Sequence, residues 1–336
     1  MKIVHFDVNE VGERILSKLS VYGEQLFFVE SAHEVDRAQW FEAEVVTVNH
    51  ESDITREAID GLPNLKLIAT RSTGYDHIDY MYAKEKGIPV VTVPEYGSRT
   101  VAEYSFALMM SLVRKVPQGR EVMRMQSAPN IDGLCGFDLE GKTLGLVGTG
   151  RIGQNMGRFC KAFGMHVVAF DAYPNEAFKS ECQVEYVGSI EEVAERSDVL
   201  SIHVPDLPET HHCINASVLS RVKQGAYVIN TARGGVVDTI ALRDVLVEGR
   251  LGGAGIDVLE YETEYYATMH EEVPSHSDPQ IDKTLKAIRE LVSMKNVIVT
   301  PHQAFYSTEA EERILQTTIE NIISWKEGEV RNGISV

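Results

Sequence analysis

The chain has 336 residues, of which 43% are hydrophobic and 24% charged, and a formal net charge of −18. This length suits two domains, because single cores stop growing near about 250 to 300 residues. The composition excludes a disordered chain, and the acidic excess argues against nucleic acid as a partner, since that affinity rests on clustered Lys and Arg.

The opening MKIVHFDV reads as a strand rather than a leader, because its apolar residues alternate with His5 and Asp7. No run approaches the ~18 apolar residues of a membrane helix, so a cytoplasmic protein without a membrane partner is expected. Short β-branched runs at residues 3–6, 45–48, 67–69 and 90–93 alternate with helical patterns, the signature of βαβ units and a parallel sheet. From Thr100, TVAEYSFALMMSLVRKV has apolar positions at helical spacing and is expected to open the second domain, with residues 101–113 packing as core. Six further buried-strand candidates follow: TLGLVG, HVVAFD, VLSIHV, AYVINT, GAGID and NVIVTP. Residues 307–325 read as an amphipathic helix returning to the first domain, which is then discontinuous. Cys135, Cys160, Cys182 and Cys213 lack Cys-x-x-Cys spacing. They read as free buried thiols, and no metal site is expected.

GTGRIG, at residues 148–153, follows an apolar strand and precedes a helical run. Gly148 and Gly150 let the backbone turn tightly and approach a pyrophosphate, Gly153 permits close helix packing, and the helix N-terminus offers N–H donors. The next strand ends at Asp171, at about the spacing expected of an acid that accepts hydrogen bonds from a ribose. No Arg or Lys follows at once, so NAD is expected over NADP. The fold class expected is α/β, with two Rossmann-like doubly wound parallel-sheet domains and a cleft between them.

Three polar residues stand at the C-terminal ends of expected strands, where an open parallel sheet places its ligand crevice. Arg233 follows AYVIN, Glu262 lies five residues beyond Asp257, and His302 follows NVIVT. A guanidinium can hold a substrate carboxylate with a planar fork and polarise an adjacent ketone. An imidazolium can protonate the alkoxide left by hydride attack, and a carboxylate beside it stabilises its charge and fixes its orientation. Together they suit reduction of a 2-keto acid. The pair His211 and His212 has no ligand-spaced cysteine or acid nearby and reads as solvent-facing or loop residues.

GTGRIG, NTARGGVVD, GIDVLEYE and TPHQAF resemble the D-isomer-specific 2-hydroxyacid dehydrogenase family over essentially the whole chain. The resemblance implies an NAD domain at residues 100–302, inserted into a substrate domain formed by residues 1–99 and 303–336. It places Arg233, Glu262 and His302 at the catalytic positions. It puts Arg151 and Ile152 at the pyrophosphate, Asp171 at the adenine ribose, and Val204, Pro205 and Thr210 on a cofactor loop. Thr231 and Ala232 join the cofactor beside Arg233, and Asp257 lies near the nicotinamide. In the first domain, Thr73 and Gly74 of RSTGYDHID hold the substrate carboxylate, and Tyr96 faces the substrate. The resemblance further implies a homodimer built on the nucleotide domain.

RSTGYDHID, HQAFYS and the long segment after Glu262 resemble the D-lactate branch of that family, so pyruvate is the first expectation. Branched or aromatic 2-keto acids come next, because Tyr96, Phe305 and Tyr306 could line a pocket of unfixed volume. Glyoxylate and hydroxypyruvate are further alternatives, and an NAD(H)-sensing corepressor is a reading of a different class. The acidic, aromatic stretch 259–276 reads as a solvated helix face with partly buried tyrosines, or as a lid.

Overall fold

The computed structural model describes residues 1–125, 130–269 and 276–334. The chain divides into two compact units, Met1–Gly97 with Tyr306–Val336, and Ser98–Phe305.

Unit 1 is built on a five-stranded parallel sheet of β1 (Lys2–His5), β2 (Glu24–Phe27), β3 (Val45–Val48), β4 (Leu67–Thr70) and β5 (Val90–Val91), in the order β2-β1-β3-β4-β5. The central strands β3 and β4 are buried throughout, so they read as continuous apolar runs rather than alternating ones. Alternate residues nonetheless serve different layers. Val4, Val46 and Ile68 pack with Trp40, Ile54 and Ile59 on one face. Ile3, Val45 and Leu67 pack on the other with Leu16, Leu19, Leu315 and Ile319. The last two belong to the helix Thr308–Lys326, whose N-cap Ser307 accepts from the Ala310 N–H. Residues 332–334 then lie along β5: Thr92 N–H donates to Asn332 O and Ile334 N–H to Val90 O. The unit is thus closed by both ends of the described chain.

Unit 2 carries β6 (Thr143–Val147), β7 (His166–Phe170), β8 (Glu185–Tyr186), β9 (Val199–Ile202), β10 (Ala226–Asn230), β11 (Leu251–Ile256) and β12 (Val297–Val299). They form one parallel sheet in the order β12-β11-β10-β9-β6-β7-β8. The chain starts in the middle at β6, runs outward through β7 to β8, then crosses to β9 on the other side. The junction of β6 and β9 is therefore the switch point, where the connections leave in opposite directions and open a crevice at the strand C-termini. Helices Ser98–Val113 and Arg151–Ala162 cover one face through Leu108, Met109, Leu112, Met156 and Cys160. Helices Thr239–Val247 and Pro279–Ser293 cover the other through Leu242, Leu246, Leu285 and Ile288.

The structure departs from the sequence expectations in three places. The helix expected from Thr100 through Val116 spans Ser98–Val113 and is followed, after Lys115 at φ 51°, by a separate helix Val116–Met125. Pro117 explains the break, because its ring would clash with the carbonyl of Val113 in a continuous helix. Strands β2 and β8 were not anticipated; β8 is a two-residue edge strand that takes its conformation from β7. Cys135 is exposed rather than buried, because it lies in the irregular segment before β6 that has no sheet to cover it, and Cys213 is only half-buried. Within the stretch 259–276, residues 262–268 form a helix with Tyr265 buried, in line with the helix-face reading, while residues 270–275 lie outside the described residues. Among the described residues no helix is long and apolar enough to cross a membrane.

Candidate active site

All the candidate residues of unit 2 fall at the C-terminal edge of its sheet. The loop after β6 contains three glycines with different reasons for being glycine. Gly148 has φ +93°, and a Cβ there would stand 2.6 Å from His203 O just past the end of β9. At Gly153 a Cβ would stand 2.2 Å from Gly148 O, so the helix Arg151–Ala162 could not seat against its own loop. Gly150 has an ordinary φ of −64°, and a Cβ there would meet nothing within 4 Å. It is also the N-cap of that helix, with no side-chain cap bond. A helix start without a side-chain cap, beside space that a missing side chain keeps accessible, suits an anion such as a pyrophosphate.

Asp171 follows β7. Its Oδ2 accepts from Thr149 N at 2.6 Å and Thr149 Oγ1 at 2.9 Å, and its Oδ1 from Tyr173 N at 2.8 Å. Tyr186 OH in turn donates to Thr149 Oγ1 at 2.9 Å. The carboxylate is thus held at the mouth of the glycine loop. After β9, Val204 and Pro205 lead into a turn that Thr210 closes, with its Oγ1 donating to Pro205 O at 2.5 Å and accepting from Leu207 N at 2.8 Å.

The loop after β10 carries Thr231, Ala232 and Arg233. Thr231 Oγ1 is buried against Ser105 Oγ at 2.7 Å. Asn230 braces the turn from both sides, accepting from Ala232 N at 3.1 Å and donating to Arg233 O at 2.9 Å. Arg233 is half-buried, and its Nη1 donates to Ala232 O at 2.7 Å.

Asp257, at the end of β11, is 1% exposed. Its carboxylate accepts from Thr300 Oγ1 at 2.5 Å, Ala304 N at 2.7 Å and Gln303 N at 3.0 Å. Burial raises its pKa, while those three donors and the nearby His302 oppose the shift. The side chain is thus spent on the loop after β12, and its backbone O accepts from His302 N at 2.9 Å. This template holds His302 at φ +50°, a left-handed conformation that a histidine adopts at some cost.

The imidazole so placed meets Glu262. His302 Nδ1 and Glu262 Oε1 are 3.0 Å apart, and Glu262 Oε2 accepts from Leu259 N at 3.1 Å. Glu262 opens the helix Glu262–Thr268, an end that favours a carboxylate. Phe305 stands edge-on to the His302 ring, with centroids 6.5 Å apart. Burial, with the charges of Glu262 and Asp257 adding, pushes the Tyr266 phenol up to about 12.

In unit 1 the loop after β4 holds Thr73 and Gly74. Thr73 Oγ1 donates to Val93 O at 2.8 Å and Ser72 Oγ to Gly74 O at 2.5 Å. Tyr96 lies beyond β5, where its carbonyl accepts from Arg313 Nε at 2.8 Å. Beneath this loop Arg71 is buried. It donates to Phe6 O, to Asp7 O at 3.0 Å and to Thr47 Oγ1 at 2.7 Å, and burial lowers its pKa to about 10. His5 is wholly enclosed beside it, 2.9 Å from Thr47 Oγ1 and 3.0 Å from the Gln25 amide. Burial, then the Arg71 charge, holds its pKa at about 3.

Sequence reasoning passed over Asn230, Thr300, Thr149 and Tyr186. Asn230 had a usable signal, since an Asn at a strand end can satisfy a turn with both ends of its amide. Thr300 and Tyr186 had none, because their partners lie 43 and 37 residues away.

Residues 106–304 match the D-isomer specific 2-hydroxyacid dehydrogenase, NAD binding domain. The chain belongs to that family. A glyoxylate reductase of Korarchaeum cryptofilum is 35% identical over 98% of this chain and 95% of its own length. A D-lactate dehydrogenase of Escherichia coli is 34% identical over 98% of both. The crystal structure of D-lactate dehydrogenase from Aquifex aeolicus, complexed with NAD and lactic acid, superposes with a TM-score of 0.84 at 34% identity, covering 97% of this chain and 96% of that one. The protein is accordingly an NAD-dependent 2-hydroxyacid dehydrogenase, an oxidoreductase whose unit 2 is the family's NAD-binding domain. NAD fits what the loop after β6 offers: open space at Gly150, a helix N-terminus without a side-chain cap and a fixed carboxylate at Asp171.

Proposed function

We propose that the protein reduces pyruvate to D-lactate with NADH, and runs the reverse reaction with NAD. The observation that carries the chemistry is the 3.0 Å pairing of His302 Nδ1 with Glu262, at the sheet edge that also presents Arg233. Nicotinamide, when bound, supplies or accepts the hydride.

The roles of the side chains follow from their chemistry. Arg233 binds the substrate carboxylate through its planar fork and polarises the neighbouring carbonyl. His302 in its charged form donates a proton to the carbonyl oxygen as hydride reaches the carbon, and takes it back in the oxidation direction. With Nδ1 toward Glu262, Nε2 is the nitrogen assigned to the substrate oxygen. Glu262 stabilises the imidazolium and fixes its plane. Asp257 supports the loop that carries His302 and, in this reading, borders the nicotinamide. Gly148, Gly150, Arg151, Ile152 and Gly153 take the pyrophosphate, and Asp171 takes the adenine ribose. Val204, Pro205, Thr210, Thr231 and Ala232 would complete the cofactor site. Thr73, Gly74 and Tyr96 are assigned to the substrate. The same reading makes the enzyme a cytoplasmic homodimer associating through unit 2, which mass measurement in solution and cell fractionation test.

The deciding experiment is NADH oxidation with pyruvate, longer aliphatic 2-keto acids, phenylpyruvate, glyoxylate and hydroxypyruvate, followed by chiral analysis of the product. Turnover led by pyruvate and yielding D-lactate supports the proposal. Another leading acid reassigns the substrate, L-product overturns the stereochemistry, and tight NADH binding without turnover favours a sensor.

A further inference from the structure

The paired histidines His211 and His212 belong to no cofactor or substrate role, yet they sit where three loops of the site meet. Their rings stack with centroids 4.2 Å apart and planes 16° from parallel, and each faces a carboxylate. His211 Nδ1 is 3.1 Å from Asp206, and His212 Nε2 is 2.9 Å from Glu260. Glu260 is a buried carboxylate, 9% exposed, so its contact with His212 replaces solvation that the fold has removed. His212 itself is held at φ +48°, an unfavourable conformation for this residue type that the surrounding contacts must maintain.

The connections run outward from this cluster to the proposed catalytic groups. His212 N donates to Gly235 O at 2.8 Å, in the loop that carries Arg233. Its side chain reaches Glu260, two residues before Glu262, and the Leu259 N–H of the same segment donates to Glu262 Oε2. The glycines between these layers are thinned for contact. A Cβ at Gly234 would stand 2.0 Å from Leu259 O and 2.4 Å from Glu260 N, and one at Gly235 would stand 2.1 Å from the Asp206 carboxylate. The loop bearing Asp206 and the histidines, the loop bearing Arg233 and the loop bearing Glu262 are therefore stacked in direct contact. His212 is bonded to both of the other two.

We propose that His212, through Glu260, is a positioning residue that sets the spacing between Arg233 and the Glu262–His302 pair, with the His211–Asp206 pair packed against it as a brace. This rests on the assignment of Arg233, Glu262 and His302 given above. Hydride and proton delivery depend on placement at the scale of about 1 Å, where misplacement can cost on the order of 100-fold. A loosened clasp therefore lowers turnover, while the pyrophosphate and ribose positions after β6 and β7, to which His212 makes no bond, keep most of the NADH affinity.

The test compares His212→Leu, which removes the ring donor, with His212→Gln, whose amide can reach Glu260. Each is assayed for NADH dissociation constant by fluorescence, for melting temperature, and for kcat and KM with the leading 2-keto acid. His212→Leu is expected to lose about 10- to 100-fold in kcat with NADH affinity within about threefold of the parent, and His212→Gln to recover most of that loss. Unchanged kcat in His212→Leu overturns the proposal, as does a Gln variant as impaired as the Leu variant. Equal losses in NADH binding and kcat also overturn it. Should His212→Leu not fold, Glu260→Gln decides: a several-fold fall in kcat at unchanged NADH affinity supports the clasp, and parental kcat refutes it. His302→Ala run in parallel separates the two readings, since full activity there removes the assigned proton donor itself.

Discussion

The two units use the same parallel-sheet plan, but they fill the C-terminal edge of the sheet in opposite ways. In unit 2 the edge keeps a part-exposed carboxylate and open glycine backbone, with Asp171 at the mouth of the glycine loop and Gly150 leaving space unfilled. In unit 1 it is held by a buried cation, with Arg71 donating to the ends of β1 and β3 and His5 kept neutral beside it. The first arrangement presents groups to a ligand. The second consumes its polar groups internally, so it stabilises the unit and supports the loop carrying Thr73 and Gly74. One plan can thus give an edge that does chemistry and an edge that holds shape, according to whether its charges are exposed or spent.

The largest expected effect is on the chemical side of that contrast. His302→Ala should lower kcat/KM by about 100- to 10,000-fold while leaving NADH affinity near the parental value, measured by steady-state kinetics and fluorescence titration. In unit 1, Arg71→Met should act through stability instead. It leaves Phe6 O, Asp7 O and Thr47 Oγ1 without their buried donor, at about 2 to 4 kcal/mol by denaturant unfolding. A variant that unfolds at the parental denaturant concentration would show that the guanidinium is not what holds this edge.

Gly150→Val sharpens the distinction within unit 2. Its side chain would enter open space, so the melting temperature should stay within a few degrees while NADH affinity falls by at least about tenfold. Gly148→Val, at φ +93° and against His203 O, should destabilise the unit as well. Equal behaviour of the two variants would erase the difference between a glycine kept for packing and one kept for a ligand.

The smallest effect is on acid sensitivity. Burial lowers His5 to about 3, and lowers His77 in unit 1 and His203 in unit 2 to about 4. Between those values and 6.5 the unfolded chain binds protons that the folded chain refuses. The stabilising contribution is therefore complete above about pH 6.5 and is lost as pH falls toward 3 to 4. Each group adds at most about 1.4 kcal/mol per pH unit to that slope. Replacing His5 by Asn should flatten the dependence in urea titrations between pH 6.5 and 4, and an unchanged slope would mean that His5 ionises freely in the folded state.

Much of unit 2 was legible because its signals are local. GTGRIG is read from six adjacent residues between a strand and a helix, and Arg233, Glu262 and His302 each stand just beyond a recognisable apolar run. What stayed hidden depends on distance or on burial. Asp257 and Asp171 look alike in sequence, both acids ending a strand, yet one is enclosed and spent on the His302 loop while the other stands at the mouth of a glycine turn. The partnership of His212 with Glu260 spans 48 residues, and no periodicity encodes it. Strand β8 is too short to show a pattern and exists because β7 offers it an edge. Unit 1 is harder still, because the role of Arg71 rests on the carbonyls of Phe6 and Asp7 just beyond β1, and nothing in RSTGYDHID points to them.

The discontinuity of unit 1 has a consequence for how the protein is made. Its second face is covered by Leu315, Ile319 and Ile322, and its last strand is flanked by residues 332–334. A ribosome delivers all of unit 2 before those residues emerge, and domains fold as units during synthesis. The NAD-binding half can therefore reach its final form while the earlier-made half still waits with an apolar face uncovered. The nascent chain is most exposed to aggregation and to chaperones at its beginning, and release of the final helix is what ends that exposure.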